Sequence, residues 1–94
     1  MDDLEPVELE INGVIDLHTF NPKDIKKLVP DYIAACLEKD IFQVRIIHGK
    51  GKGTLRRIVH AALDRIPAVL SYQLAAGDAG SWGATIVELH HQET

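Results

Sequence analysis

Phe42-Gln43-Val44-Arg45-Ile46-Ile47-His48-Gly49-Lys50-Gly51-Lys52-Gly53-Thr54-Leu55-Arg56-Arg57-Ile58-Val59 runs from a strand pattern, through three glycines, into a helical pattern. Val44 and Ile46 fall on one face of the strand and Ile47 on the other, so β-branched residues occupy both faces, the pattern of an interior, partly parallel strand. Beyond the glycines, Thr54 can cap a helix in which Leu55, Ile58, Val59, Ala62, Leu63 and Ile66 recur at helical spacing until Pro67 ends the run. A strand that passes through a glycine loop into a helix must return by another strand, which points to an α/β architecture.

Working outward, the residues before this stretch give a second helix. Asn21 suits the N-cap, Pro22 the first helical position, and Asp24 adds negative charge to the first turn. Ile25, Leu28, Val29, Tyr32, Ile33, Cys36 and Leu37 define its apolar face until about residue 39. Pro30 lies off that stripe, so it removes a backbone hydrogen bond without disturbing the buried side. Earlier still, Val7-Glu8-Leu9-Glu10-Ile11 and Val14-Ile15-Asp16-Leu17-His18 flank Asn12-Gly13, which predicts an N-terminal hairpin with a type I′ turn. After the second helix, Ala68 to Ala75 and Ala84 to Leu89 read as strands around a loop carrying Trp82. The predicted order is a leading hairpin strand followed by β-α-β-α-β-β, and right-handed crossovers make it a two-layer sandwich with both helices on one sheet face.

Length and composition narrow the function. Ninety-four residues make one small domain, spanning 1–94 with a core of about 9–90. No apolar run reaches the roughly 18 residues of a membrane span, so no membrane partner is expected. The absence of a basic-apolar leader and a single Cys36 fit a cytoplasmic location. The net charge of −4 argues against a polyanionic partner only as an average. Residues 1–40 carry 4 basic and 10 acidic side chains, residues 41–66 carry 6 and 1, and residues 67–94 carry 0 and 3. The basic block coincides with the glycine loop.

That loop is a candidate phosphate cradle. Glycines let amides approach an anion, and a helix N-terminus directs unpaired N–H groups and its positive dipole end toward it. Gly49, Lys50, Gly51, Lys52 and Gly53 form the loop, with Arg56 and Arg57 in the first helical turn. Cations there have the wrong sign for the macrodipole by about 0.3–1 kcal/mol each, a sign that a bound phosphate reverses. A solvated glycine turn is the plain alternative. The sequence lacks both the GxxxxGK[ST] order and a GxGxxG fingerprint, so nucleotide hydrolysis is unsupported.

Asp16 and His18 are two apart on a strand, and His48 ends the next parallel strand. Together they could supply acid and base groups beside a phosphate, since imidazole titrates near neutrality and a carboxylate can orient it. Asp16 could instead help hold a divalent metal such as magnesium, although so few ligands form no metal signature. The simpler reading makes Asp16 and His18 strand-end residues that bond loop amides. Trp82 could stack on a base or fold back over the core edge. His60 could extend the basic surface, with an exposed helical residue as the default reading, and His90 and His91 could bind metal, with a solvated tail as the default.

Ile15-Asp16-Leu17-His18, His48-Gly49-Lys50-Gly51-Lys52-Gly53 and Gly80-Ser81-Trp82-Gly83-Ala84-Thr85, in this order, resemble the Smr (small MutS-related) domain family, in its stand-alone bacterial type. Thr19 and Ser81 stand where the family motifs usually have Gly. The resemblance implies an α/β sandwich linked to nucleic-acid binding and to DNA-nicking or RNA-cleaving endonuclease activity. It implies a site of Asp16, His18, His48, Gly49, Lys50 and Gly51. A non-catalytic module that docks on nucleic acid or the ribosome is the alternative, selective for structure rather than sequence because phosphate contacts carry no base information.

Overall fold

The computed structural model describes residues 10–49, 53–75 and 83–91. Strand β1 (Val14–Asp16) is followed by helix α1 (Pro22–Glu38), β2 (Gln43–Ile47), α2 (Thr54–Leu63), β3 (Val69–Leu74) and β4 (Ala84–Leu89). The sheet order is β1-β2-β4-β3, with β1 parallel to β2 and both other pairings antiparallel. This is the expected α/β sandwich, with β2 in the interior of the sheet.

One core lies between the sheet and the helices. Ile15, Val44, Ile46, Val87 and Leu89 supply the sheet side, and Ile25, Val29, Tyr32, Ile33, Cys36, Val59 and Leu63 the helix side. Fully burying each aliphatic side chain stabilises the fold by about 1.5–3 kcal/mol. Because strand side chains alternate, Val14, Asp16, Gln43 and Arg45 leave on the opposite face. Cys36 is fully buried and its thiol is pushed up by burial, in keeping with a small core residue.

Local chemistry accounts for the helix ends. The Asn21 side chain accepts from the Lys23 amide at 3.2 Å, as the cap reading requires, and Pro22 and Pro30 occupy their predicted places. At the other end Ile41 N–H donates to Cys36 O and Asp40 N–H to Leu37 O, the paired bonds of a Schellman closure. Asp40 provides the left-handed residue, with φ of 60°.

Two expectations are corrected. A type I′ turn needs positive φ at both central residues, but among the described residues Asp40 is the only non-glycine with positive φ, so Asn12 does not meet that need. Gly13, at φ 92°, instead lets the chain enter the sheet: its carbonyl accepts from Arg45 N–H, and its N–H donates to the Tyr32 hydroxyl. Tyr32 in turn donates to Val14 O, tying α1 to β1. Val7, Glu8 and Leu9 of the proposed hairpin arm lie outside the described residues. Thr54 is the first residue of α2 rather than its cap; Gly53 takes the cap position in a left-handed conformation.

Candidate functional site

The carboxyl ends of β1 and β2 lie side by side, since Asp16 pairs with Ile47 and Leu17 N–H donates to Ile47 O. Asp16 Oδ1 accepts from both His18 N–H at 3.0 Å and His18 Nδ1 at 2.7 Å. These bonds lower the Asp16 pKa, the backbone one most, then the imidazole one. The pair stands in solvent, with side chains 47% (Asp16) and 68% (His18) exposed. Asp16 holds Nδ1, which leaves His18 Nε2 unengaged among the described residues. Phe20 N–H donates to Leu17 O across Thr19, so the turn closes without positive φ at that position.

His48 takes the other direction. Ile47 and Asp16 lie on the open face, so alternation turns the next side chain, His48, under α2, where it is 4% exposed. Its Nε2 lies 2.8 Å from Thr85 Oγ1 and its Nδ1 3.1 Å from Gly49 O. Burial, and then the Arg56 charge, push its pKa below the ordinary imidazole value against an opposing bond to Gly49. The geometry thus keeps Asp16 with His18 and separates both from the His48 side chain.

The cradle residues also divide. The Gly49 and His48 amides both donate to Gly83 O at 2.8 Å, so Gly49 N–H is already occupied. Gly49 and Gly53 both have positive φ. Helix α2 has no side-chain cap, which leaves its first-turn amides to other acceptors. The Arg56 guanidinium folds across this helix start, since a Cβ at Gly53 would lie 2.8 Å from Arg56 Nη2. Arg57 turns away and lines a groove between α1 and α2 with Lys26, Pro30, Ile58 and Ala61. Lys50, Gly51, Lys52 and Trp82 lie outside the described residues.

Comparison with known proteins settles the family. The Smr domain profile matches residues 15–90. The chain belongs to the Smr domain family. It is 49% identical over 79 residues to Endonuclease MutS2 of Halothermothrix orenii, covering 84% of this chain and 10% of that protein. With Endonuclease MutS2 of Clostridium beijerinckii it shares 34% identity over 86 residues, or 88% of this chain and 11% of the relative. The chain therefore spans about a tenth of the length of these relatives. Among crystal structures, the Smr domain of Thermus thermophilus MutS2 superposes with a TM-score of 0.78 at 28% identity, over 84% of this chain and 99% of that one. YdaL, a stand-alone small MutS-related protein from Escherichia coli, gives a TM-score of 0.76 at 28% identity, over 82% and 63% of the two chains.

Within this Smr domain, the pairing of His60 with Thr85 escaped the sequence reading, whose exposed default for His60 is corrected. His60 is half-buried: its Nε2 lies 2.8 Å from Thr85 Oγ1, and its ring packs 4.7 Å from that of Tyr72. Burial, then the His48 and Arg56 charges, lower its pKa, with Asp64 opposing. Alternation along β4 was the available signal, since it places Thr85 among the inward residues Val87 and Leu89, where a hydroxyl needs a partner. His91 stacks on Phe42 at 4.0 Å rather than trailing in solvent alone. Among the described residues no three His, Cys, Asp or Glu side chains gather to hold a metal ion, and one Asp16 oxygen is engaged by His18, so they offer no dedicated metal cage. None of the described helices is long and apolar enough to cross a membrane.

Proposed function

We propose that this Smr domain binds nucleic acid through phosphate contacts and hydrolyses a phosphodiester bond, with Asp16 and His18 as the proton-transfer pair. The observation that carries this reading is the 2.7 Å contact at the exposed strand end, which orients His18 and leaves Nε2 facing solvent. Support also comes from the relatives, which bear the name Endonuclease MutS2.

In this reading Lys50, Lys52 and Arg56 neutralise the phosphate, and the first amides of α2 donate to its oxygens. Asp16 accepts the His18 Nδ1 proton in a hydrogen bond, so the neutral ring presents a lone pair at Nε2. That nitrogen takes the proton of the attacking hydroxyl, from water or an RNA 2′-hydroxyl, as the new O–P bond forms. The bond from phosphorus to the leaving oxygen breaks, and that oxygen takes a proton from solvent. His48 is assigned to positioning instead, because both its ring nitrogens are engaged and it is buried.

Cleavage of supercoiled plasmid and of structured RNA, with and without magnesium, tests the proposal. Loss of a positioned general base costs about 10²- to 10⁴-fold, so His18→Ala is expected to fall that far. A His18→Ala protein that cleaves like wild type overturns the assignment. One observation favours a binding module, on nucleic acid or the ribosome, as the second reading. Asp16 Oδ1 also bonds the His18 backbone N–H, so a strand-end turn alone explains the pair. Salt-dependent oligonucleotide binding without turnover by wild type would select it.

A further inference from the structure

We infer that Thr85 and His60 are positioning residues of the glycine loop: the Thr85 hydroxyl, shared between two imidazoles, fixes His48 in one tautomer and through it the Gly49 peptide from which the loop departs. The consequence for binding rests on the nucleic-acid reading; the hydrogen-bond arrangement does not.

The direction of each bond follows from what each atom can do. A carbonyl oxygen only accepts, so His48 Nδ1, 3.1 Å from Gly49 O, carries a hydrogen. In a neutral ring Nε2 is then a bare acceptor, and Thr85 Oγ1 at 2.8 Å must donate to it. A hydroxyl has one hydrogen, so toward its other neighbour Thr85 accepts, and His60 Nε2 at 2.8 Å must donate. The chain runs one way: His60 Nε2–H to Thr85 Oγ1, Thr85 O–H to His48 Nε2, His48 Nδ1–H to Gly49 O. Each donor has one acceptor with both rings uncharged.

The surroundings favour that state. Thr85 is fully buried and His48 nearly so. Among the described residues the charged groups that bear on the two rings are Arg56 on α2 and Asp64 at its C-cap, and Asp64 also accepts from the Tyr72 hydroxyl of β3 at 2.7 Å. The described part of α1 contributes no charge to either ring. A proton added to His48 would make Nε2 a donor toward Thr85, whose own hydrogen would lose its acceptor. Burial lowers both imidazole pKa values, in the same sense. Gly49 is thereby held on both sides, its N–H by Gly83 O and its carbonyl by His48, at a φ of 86°. No residue in this chain of bonds need touch a ligand to shape the loop.

Long-range ¹H–¹⁵N NMR of the intact chain near neutral pH reads the tautomers directly. Wild type is expected to show His48 protonated at Nδ1 and His60 at Nε2. In Thr85→Val the single His48 tautomer is lost, and affinity for a fluorescein-labelled single-stranded oligonucleotide falls about fivefold, the size of one lost neutral hydrogen bond. Thr85→Ser, which restores the hydroxyl, returns both to wild-type values. The wild-type spectrum alone overturns the inference if it shows His48 protonated at Nε2 or His60 at Nδ1, whatever the variants do, and so does a Thr85→Val spectrum that keeps the Nδ1–H form. If wild type binds no oligonucleotide, the nucleic-acid reading fails while the tautomer measurement still decides this one.

Discussion

His18 and His48 close neighbouring parallel strands, yet one stands in solvent with a carboxylate as its only described partner, and the other is sealed between β2, β4 and α2. The difference comes from strand alternation and from what each face meets. Asp16 lies on the face that no helix covers; His48 falls under α2. The same side chain therefore suits opposite tasks. A ring with a free nitrogen in water can move a proton, whereas a buried ring with both nitrogens engaged can only hold something in place.

The widest separation between the two regions is expected in paired truncations. His18→Ala should lower cleavage by about 10²- to 10⁴-fold and leave urea unfolding almost unchanged, because the side chain is exposed. His48→Ala should do the reverse in stability, losing about 1–3 kcal/mol, because a buried ring is removed and the hydrogen of the buried Thr85 hydroxyl loses its acceptor. For a domain of this size that lowers Tm by roughly 4–8 °C per kcal/mol. If His48→Ala melts like wild type, the contrast between the two histidines collapses.

The fold was legible in the sequence where a periodic pattern met a punctuating residue. Asn21-Pro22 opens α1, and the alternation from Ala84 to Leu89 marks β4 with the same bounds in the structure. The division of the site was less legible, for a physical reason. In β2 apolar residues occur at both parities, Val44 and Ile46 on one side and Ile47 on the other, so alternation alone does not say which way His48 turns. The His60–Thr85 bond joins residues 25 positions apart in different elements. Local periodicity carries nothing about such a pair until the crossover brings α2 over β4. Asn12-Gly13 misled because Gly13 serves a close approach beside Gln43 and Tyr32, not a tight turn.

Acid should sharpen the same comparison by separating the two regions in pH. The folded-state pKa values of His48 and His60 are lowered, so the native protein binds fewer protons there than the unfolded chain. Their contribution is complete above the unfolded imidazole value of about 6.5 and is lost as pH falls through the lower folded values. Asp16 is also lowered, so its contribution is complete above about 3.9 and fades only below that. Solvent screening keeps the Asp16 part small. Urea titrations across pH should therefore show wild type weakening first below about pH 6.5, a step that is reduced in His60→Gln. A stability that stays flat until the carboxylates titrate would mean that the buried rings carry no such penalty.

The smallest expected effect concerns two glycines that share positive φ but not surroundings. At Gly13 an added Cβ would meet Gln43 O and Ile41 Cγ2, both at 3.2 Å, so Ala there adds crowding to backbone strain. At Gly49 it would meet none of the described residues within 4 Å, so Gly49→Ala isolates the strain of a left-handed residue, about 1 kcal/mol. That strain is imposed only while Gly83 and His48 hold the peptide at both ends. Once Thr85→Val releases the ring, the backbone can relax toward negative φ, and the alanine should cost less. A double-mutant cycle on Gly49→Ala and Thr85→Val, read by urea unfolding, should show a coupling of about 0.5 kcal/mol or more in the relieving direction. Strict additivity would mean that the loop keeps its shape without the buried histidine, and that the inner region supplies burial alone.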